Sequence, residues 1–306
     1  MISEIRSTAA QKLRNEDSGF HKFVWLHSAA PIAVSGLLAV LTLLSDRIAP
    51  GGGLSNMETH TMITTALTLL QLAASVAVLF WDAGLNHLTL AFLRGRPIGV
   101  ASLTKGFSKV GPILGSWIFR WSSYLLRMMV AGTLSSILMT MLPIPTSMYQ
   151  EFSDFAASPA LPIPGSVLTI VCIYFALYLM VLAVILMPVV YRHRLTAYCI
   201  MDDQPTGGLR AVMQSSLLMR GNRRKLLKLD LRFWWFYLGE AGVLALSLGP
   251  LYISDMAAGS WLFSLLALVF QLGLYLIAKP KMALCYGLFY EQLLSAQAEA
   301  SEEQPQ

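Results

Sequence analysis

Residues 167–194 read VLTIVCIYFALYLMVLAVILMPVVYRHR, and this stretch decides the fold. From Val167 to Val190 it holds no charged side chain, and Arg192 and Arg194 follow at once. A bilayer core takes about 20 apolar residues as a helix, so this is a transmembrane span. Its basic end marks the cytoplasmic side, because Lys and Arg are retained there. Pro188, close to that end, is expected to bend the helix.

Working outward in both directions, the same reading finds five more runs. The expected spans are about Val24–Leu44, Met62–Trp81, Tyr124–Leu142, Val167–Val190, Phe233–Tyr252 and Ser260–Ala278. If the chain alternates sides across these runs, Arg47 alone of the 22 Lys and Arg falls on the outer side. Both termini are then cytoplasmic, and the expected location is a bacterial inner membrane. Lipid offers the backbone no hydrogen bonds, so the expected class is all-α.

Composition agrees. Hydrophobic residues make up 56% of the chain and charged residues 13%, against about 25% in soluble domains. Mean hydropathy is +0.60. The net charge of +5 suits loops facing anionic headgroups rather than nucleic acid. Cys172, Cys199 and Cys285 match no zinc or redox spacing, so reduced thiols are expected. The first 23 residues are polar and precede no small-residue cleavage site, so the first span is expected to remain as an anchor.

The connections carry their own signals. Residues 1–23 form a cytoplasmic tail, and 24–294 the transmembrane domain. A continuous apolar run carries the second span past Trp81, as a helix along the cytoplasmic surface. Between about 97 and 109, glycine, proline and basic residues alternate with apolar ones, which suits a short interfacial helix. Residues 143–165 contain five prolines and no Lys or Arg, and are expected to be an irregular outer loop. A second interfacial segment, about 207–228, opens with Leu209, Val212, Met213, Ser216, Leu217 and Arg220 at helical spacing. Gly221–Asn222 stops that helix. Lys279, Pro280 and Lys281 are expected to end the sixth span. The acidic, Gln-rich residues 295–306 are expected to be disordered.

The stretch AYCIMDDQPTGGLRAVMQSSLLMRGNRRKLLKLDLRFWWF, residues 197–236, carries a family resemblance. An Asp-rich turn (Asp202–Asp203) precedes an amphipathic helix (Leu209–Met219). That helix closes on a Met-Arg-Gly-Asn step (Met219–Asn222), and a Leu-Asp-Leu run (Leu229–Phe233) leads into a span. The pattern resembles an uncharacterised bacterial integral membrane family, domain of unknown function 975. Gly95–Phe107, with its Lys-Gly-Phe step, and Tyr286–Glu291, with Phe-Tyr-Glu, extend the resemblance over about Gly84–Gln292. Arg232 stands where the family has Ser. The resemblance implies a six-helix membrane fold with interfacial helices and implies no activity.

Two groups of residues are candidates for function. The first is a basic platform of Arg210, Arg220, Arg223, Arg224, Lys225 and Lys228, suited to anionic lipid headgroups or a membrane protein partner. The same charges also hold the loop on the inner side. The second is a polar cleft of Asp82, Arg120, Arg127 and Glu240, all within or beside apolar runs. A charge there costs about 2.5–3.5 kcal/mol at mid-membrane, so it pairs or faces a cavity. Arg120 and Arg127 share a helix face, and a carboxylate beside either makes a structural ion pair near the boundary.

Nothing in the sequence points to catalysis. His193 lies between Arg192 and Arg194, and His21, His27, His60 and His87 lack zinc spacing. Asp202 and Asp203 suit helix capping better than a cation site with the distant Asp230. No phosphate loop or nucleophile elbow is present. No metal or cofactor is expected. The expected function is therefore a non-enzymatic scaffold or accessory subunit. The alternative is a small transporter or lipid-handling protein using the cleft, and a membrane enzyme acting on a lipid headgroup is a third.

Overall fold

The computed structural model describes residues 2–15, 19–48, 54–158, 164–202, 207–248 and 260–302. Every regular element among them is helical: α1 (Ile2–Arg14), α2 (Phe20–Ile48), α3 (Leu54–Leu93), α4 (Val100–Thr104), α5 (Val110–Met141), α6 (Thr146–Ala157), α7 (Gly165–His193), α8 (Thr196–Met201), α9 (Gly208–Leu218), α10 (Arg223–Asp230), α11 (Trp234–Leu248) and α12 (Ser260–Glu302). Tight 3-10 turns follow α4 (Lys105–Lys109) and α10 (Leu231–Phe233).

Five of the described helical stretches are long and apolar enough to cross a membrane. They are Phe20–Thr42, Glu58–Leu93, Val100–Met141, Gly165–Met201 and Leu265–Glu299. Of the span expected at Phe233–Tyr252, α11 covers the part to Leu248, and the rest lies outside the described residues. Large apolar side chains cover the outside of these helices: Met62, Met129 and Val184 are each more than 70% exposed. An aqueous surface that apolar would associate or precipitate, whereas in lipid the same side chains are solvated by acyl chains.

The chain divides into two compact units, residues 1–114 with 195–306, and residues 115–194. In the smaller unit α6 packs on α7. Tyr149 on α6 donates to the Met139 carbonyl of α5 at 3.2 Å, and Ala131, Ser135, Met139, Val167 and Ile170 are buried. The prolines at 143–165 therefore bracket a helix instead of keeping the whole loop irregular. Pro145 caps α6 and Pro164 caps α7, positions where a missing N–H costs nothing.

The larger unit is built on α2, α3 and α12, with α11 against α12. Two prolines lie inside these long helices, Pro31 in α2 and Pro280 in α12. Each removes the N–H that would serve the carbonyl four residues back, at His27 and at Leu276. Both carbonyls are served by tryptophans from neighbouring helices. Trp81 Nε1 on α3 donates to the His27 carbonyl at 2.9 Å, and Trp25 Nε1 on α2 donates to the Leu276 carbonyl at 3.2 Å. This explains why α12 runs on past Pro280, where the sequence suggested an end. The helix continues through Glu302, so residues 295–302, expected to be disordered, are helical; Ala, Gln and Glu are good helix formers.

The segment after α3 docks through glycine. A Cβ on Gly84 of α3 would stand 1.7 Å from the Leu103 carbonyl oxygen, and one on Gly106 would stand 1.8 Å from the Phe80 carbonyl oxygen. Backbone meets backbone at both points, and only glycine fits. The expected tail 1–23 also has structure, since α1 buries Ile5 and Ala9 and packs on α12.

Candidate functional site

The platform residues gather on α9 and α10. Gly221, at φ +82°, turns the chain between these helices, as the Gly-Asn stop signal required. Asn222 Nδ2 donates to the Leu218 carbonyl at 3.1 Å and secures the end of α9. α10 buries Leu226, Leu229 and Asp230 and leaves Arg224, Lys225 and Lys228 exposed. Arg210 and Arg220 on and after α9 are exposed as well, and Arg223 is half-buried. The structure thus brings five of the six candidates to the surface.

α9 packs through a face beside the stripe that the spacing picked out. Ala211, Val212, Ser215 and Leu218 face inward, and Met219 beyond them is buried. Leu209, Met213 and Leu217, one turn apart, point outward and are 55%, 62% and 63% exposed. Both sides of α9 are therefore apolar, one satisfied within the unit and the other not. Sequence spacing could not separate them, because small residues such as Ala211 and Ser215 do not register as a packing face. Leu231 and Trp234 continue the exposed apolar surface beyond α10.

Beneath the platform lies a charged junction that the sequence reading missed. Arg94, just after α3, donates from Nη1 to Asp202 Oδ1 at 2.6 Å and from Nε to Glu291 Oε1 at 2.8 Å. Tyr290 donates to Asp202 Oδ2 at 2.9 Å, and its ring stacks on Tyr198 at 5.5 Å. Lys109 reaches the carbonyls of Ile200 at 2.5 Å and Asp202 at 3.1 Å. Tyr286 donates to the buried Asp230. One arginine therefore ties the end of α3 to α8 and α12. The hydrogen bond to Asp202, ahead of the cost of burial, holds Arg94 above its ordinary value and permanently charged. Asp202 serves as a tertiary anchor here; its expected companion Asp203 lies outside the described residues. The signal was present in the Phe-Tyr-Glu step, but spacing alone does not reveal a partner almost two hundred residues away.

Of the four cleft candidates, Asp82 and Glu240 belong to the larger unit and Arg120 and Arg127 to the smaller. Asp82 Oδ1 stands 3.2 Å from Nε2 of His27, whose ring is fully buried. Glu240 Oε1 is buried without a hydrogen bond among the described residues, and Glu240 and Asp82 both act electrostatically on Lys279. The Lys279 ammonium sits 4.4 Å from the centre of the Tyr275 ring. Arg120 and Arg127 belong to the smaller unit. Each bonds one turn back in its own helix, Arg120 Nε to the Ser116 carbonyl at 3.3 Å and Arg127 Nη1 to the Ser123 carbonyl at 2.7 Å. Arg120, Arg194 and Arg127 all act electrostatically on Tyr124.

Among the described residues no group of three or more His, Cys, Asp or Glu is placed to hold a metal ion. Cys199 and Cys285 are buried thiols, and Cys172 is an exposed one. Compared with protein-family models, curated proteins and solved structures, the chain matches none.

Proposed function

We propose that this chain is a non-enzymatic multi-pass protein of a bacterial inner membrane, a scaffold or accessory subunit that rests its basic platform on anionic lipid. One observation carries the reading. The outward stripe Leu209, Met213 and Leu217 is flanked by Arg210 and Arg220 and adjoins Arg224, Lys225 and Lys228. An apolar stripe edged by cations is the pattern of a helix lying in the membrane interface, with its apolar side at the acyl boundary and its charges at the phosphates. With α9 at the inner leaflet, both termini are cytoplasmic and the positive charge lies inside. The residues that resemble the uncharacterised family fall on this same platform and its anchor, Asp202 and Tyr290.

Each basic residue near an anionic surface contributes about 1 kcal/mol. The triple variant R223Q/R224Q/K225Q is therefore expected to lose most of its preference for phosphatidylglycerol over phosphatidylcholine, by up to about a hundredfold. The measurement is lipid exchange into nanodiscs of each composition, followed by native mass spectrometry. An unchanged preference in correctly inserted protein removes the lipid reading and leaves a protein partner as the occupant of the platform.

A second reading, lipid handling or transport, draws on a cavity of about 230 Å³ between α2 and α3. Ala30, Val34, Ala74 and Val78 line it, with Trp81 and Phe107 among its walls. Its lining suits an acyl chain. A lipid retained through purification and lost in A74F supports this reading, and an empty cavity in purified protein counts against it.

A further inference from the structure

From the surroundings of His27 we infer a proton-binding site inside the larger unit, separate from the platform. His27 on α2 is fully buried, and neither of its ring nitrogens has an aligned hydrogen bond among the described residues. A buried polar group without partners is costly, and native proteins keep few of them. The ring is not in an apolar pocket, however. Asp82 on α3 approaches Nε2 to 3.2 Å, and the Trp81 ring lies parallel to it at 5.8 Å. Trp81 also holds the His27 backbone through the carbonyl that Pro31 leaves vacant. The imidazole is therefore fixed in place by its backbone and by stacking, while its nitrogens remain available.

Asp82 is the carboxylate beside the ring, and Lys279 is a cation whose field reaches both it and His27. Glu240 Oε1 is buried without a hydrogen bond among the described residues. α4 contributes no charged side chain, and Lys109 in the turn after it is committed to the Ile200 and Asp202 carbonyls. A single added proton balances the Asp82 carboxylate beside the ring. Its acceptor is the lone pair of the His27 ring, and Asp82 then forms a charge-assisted pair with the imidazolium. The Asp82 side chain is 54% exposed, so the pair reaches the surface of the larger unit.

The test follows deuterium exchange at the imidazole C2 position of each histidine by mass spectrometry, in full-length protein in nanodiscs across the pH range. His27 is expected to show a single sigmoidal step. Removing the carboxylate in D82N moves the step to lower pH by about one to three units, and K279Q moves it upward. A step that ignores both substitutions, or no step at all, overturns the site. Because exchange at a buried ring is slow, melting temperature gives a second readout. It changes through the same pH range in the wild type and loses that change in H27Q; a change of the same size in H27Q overturns the assignment. Replacing sodium by choline leaves the step where it is, and a sodium-dependent midpoint would reject the proton in favour of a metal cation.

Discussion

At the residue scale, two substitutions test how the helices of the larger unit are locked. Gly106 meets the Phe80 carbonyl with no room for a side chain. The variant G106A cannot dock without moving backbone, and overpacking of that kind costs about 1–3 kcal/mol. The expected result is a lower unfolding midpoint in detergent and faster proteolysis between Gly95 and Lys109, while G111A, which meets open space, behaves as wild type. Trp25 supports the carbonyl orphaned by Pro280. W25F leaves that carbonyl unpaired at a cost of about 1–3 kcal/mol. Because the fault lies with the proline, P280A is expected to restore most of the lost stability in W25F. Equal melting of W25F and W25F/P280A would mean the two residues are not coupled.

At the element scale, the question is what holds α8 under the platform. Arg94 bonds Asp202 and Glu291 at once, and Tyr290 takes the second oxygen of Asp202. D202N removes the charged acceptor, and a hydrogen bond to a charged group contributes about 1.5–3 kcal/mol. The stabilisation is expected wherever the carboxylates are ionised and the pH is below the ordinary arginine range. Arg94 is held above its usual value, so its share is fully present there and lost only as pH rises beyond it. Hydrogen exchange measured by mass spectrometry should show α8 opening in D202N with α5 unchanged. Protection that is identical in both proteins rejects the anchor role.

Much of this scale was legible in the sequence. A short helix, Val100–Thr104, lies within 97–109, and α9 ends just before the Gly221–Asn222 stop, where Gly221 takes a positive φ. What the sequence concealed was tertiary. Pro280 reads as a stop because the residue that offsets its missing N–H is Trp25, on a different helix. The inward side of α9, with Ala211 and Ser215, was not legible because a periodic pattern shows that a helix has an apolar side, not that it has two. Asp82 and Glu240 were visible as costly charges, but their company, His27, Lys279 and Tyr275, comes from three-dimensional packing.

At the scale of the whole molecule, the described residues are helical, with exposed apolar sides and a basic surface on α9 and α10. The central claim is that α9 lies in the inner-leaflet interface with Leu209, Met213 and Leu217 turned toward the acyl chains. The most direct measurement places an environment-sensitive fluorophore on M213C, in a C172S background that removes the exposed thiol, and adds spin-labelled lipids to anionic nanodiscs. The predicted result is strong quenching by lipids labelled just below the headgroup, weak quenching by aqueous iodide, and the opposite pattern for a label at R224C. A label at 213 that iodide quenches as readily as one at 224, in anionic and zwitterionic membranes alike, would contradict the claim.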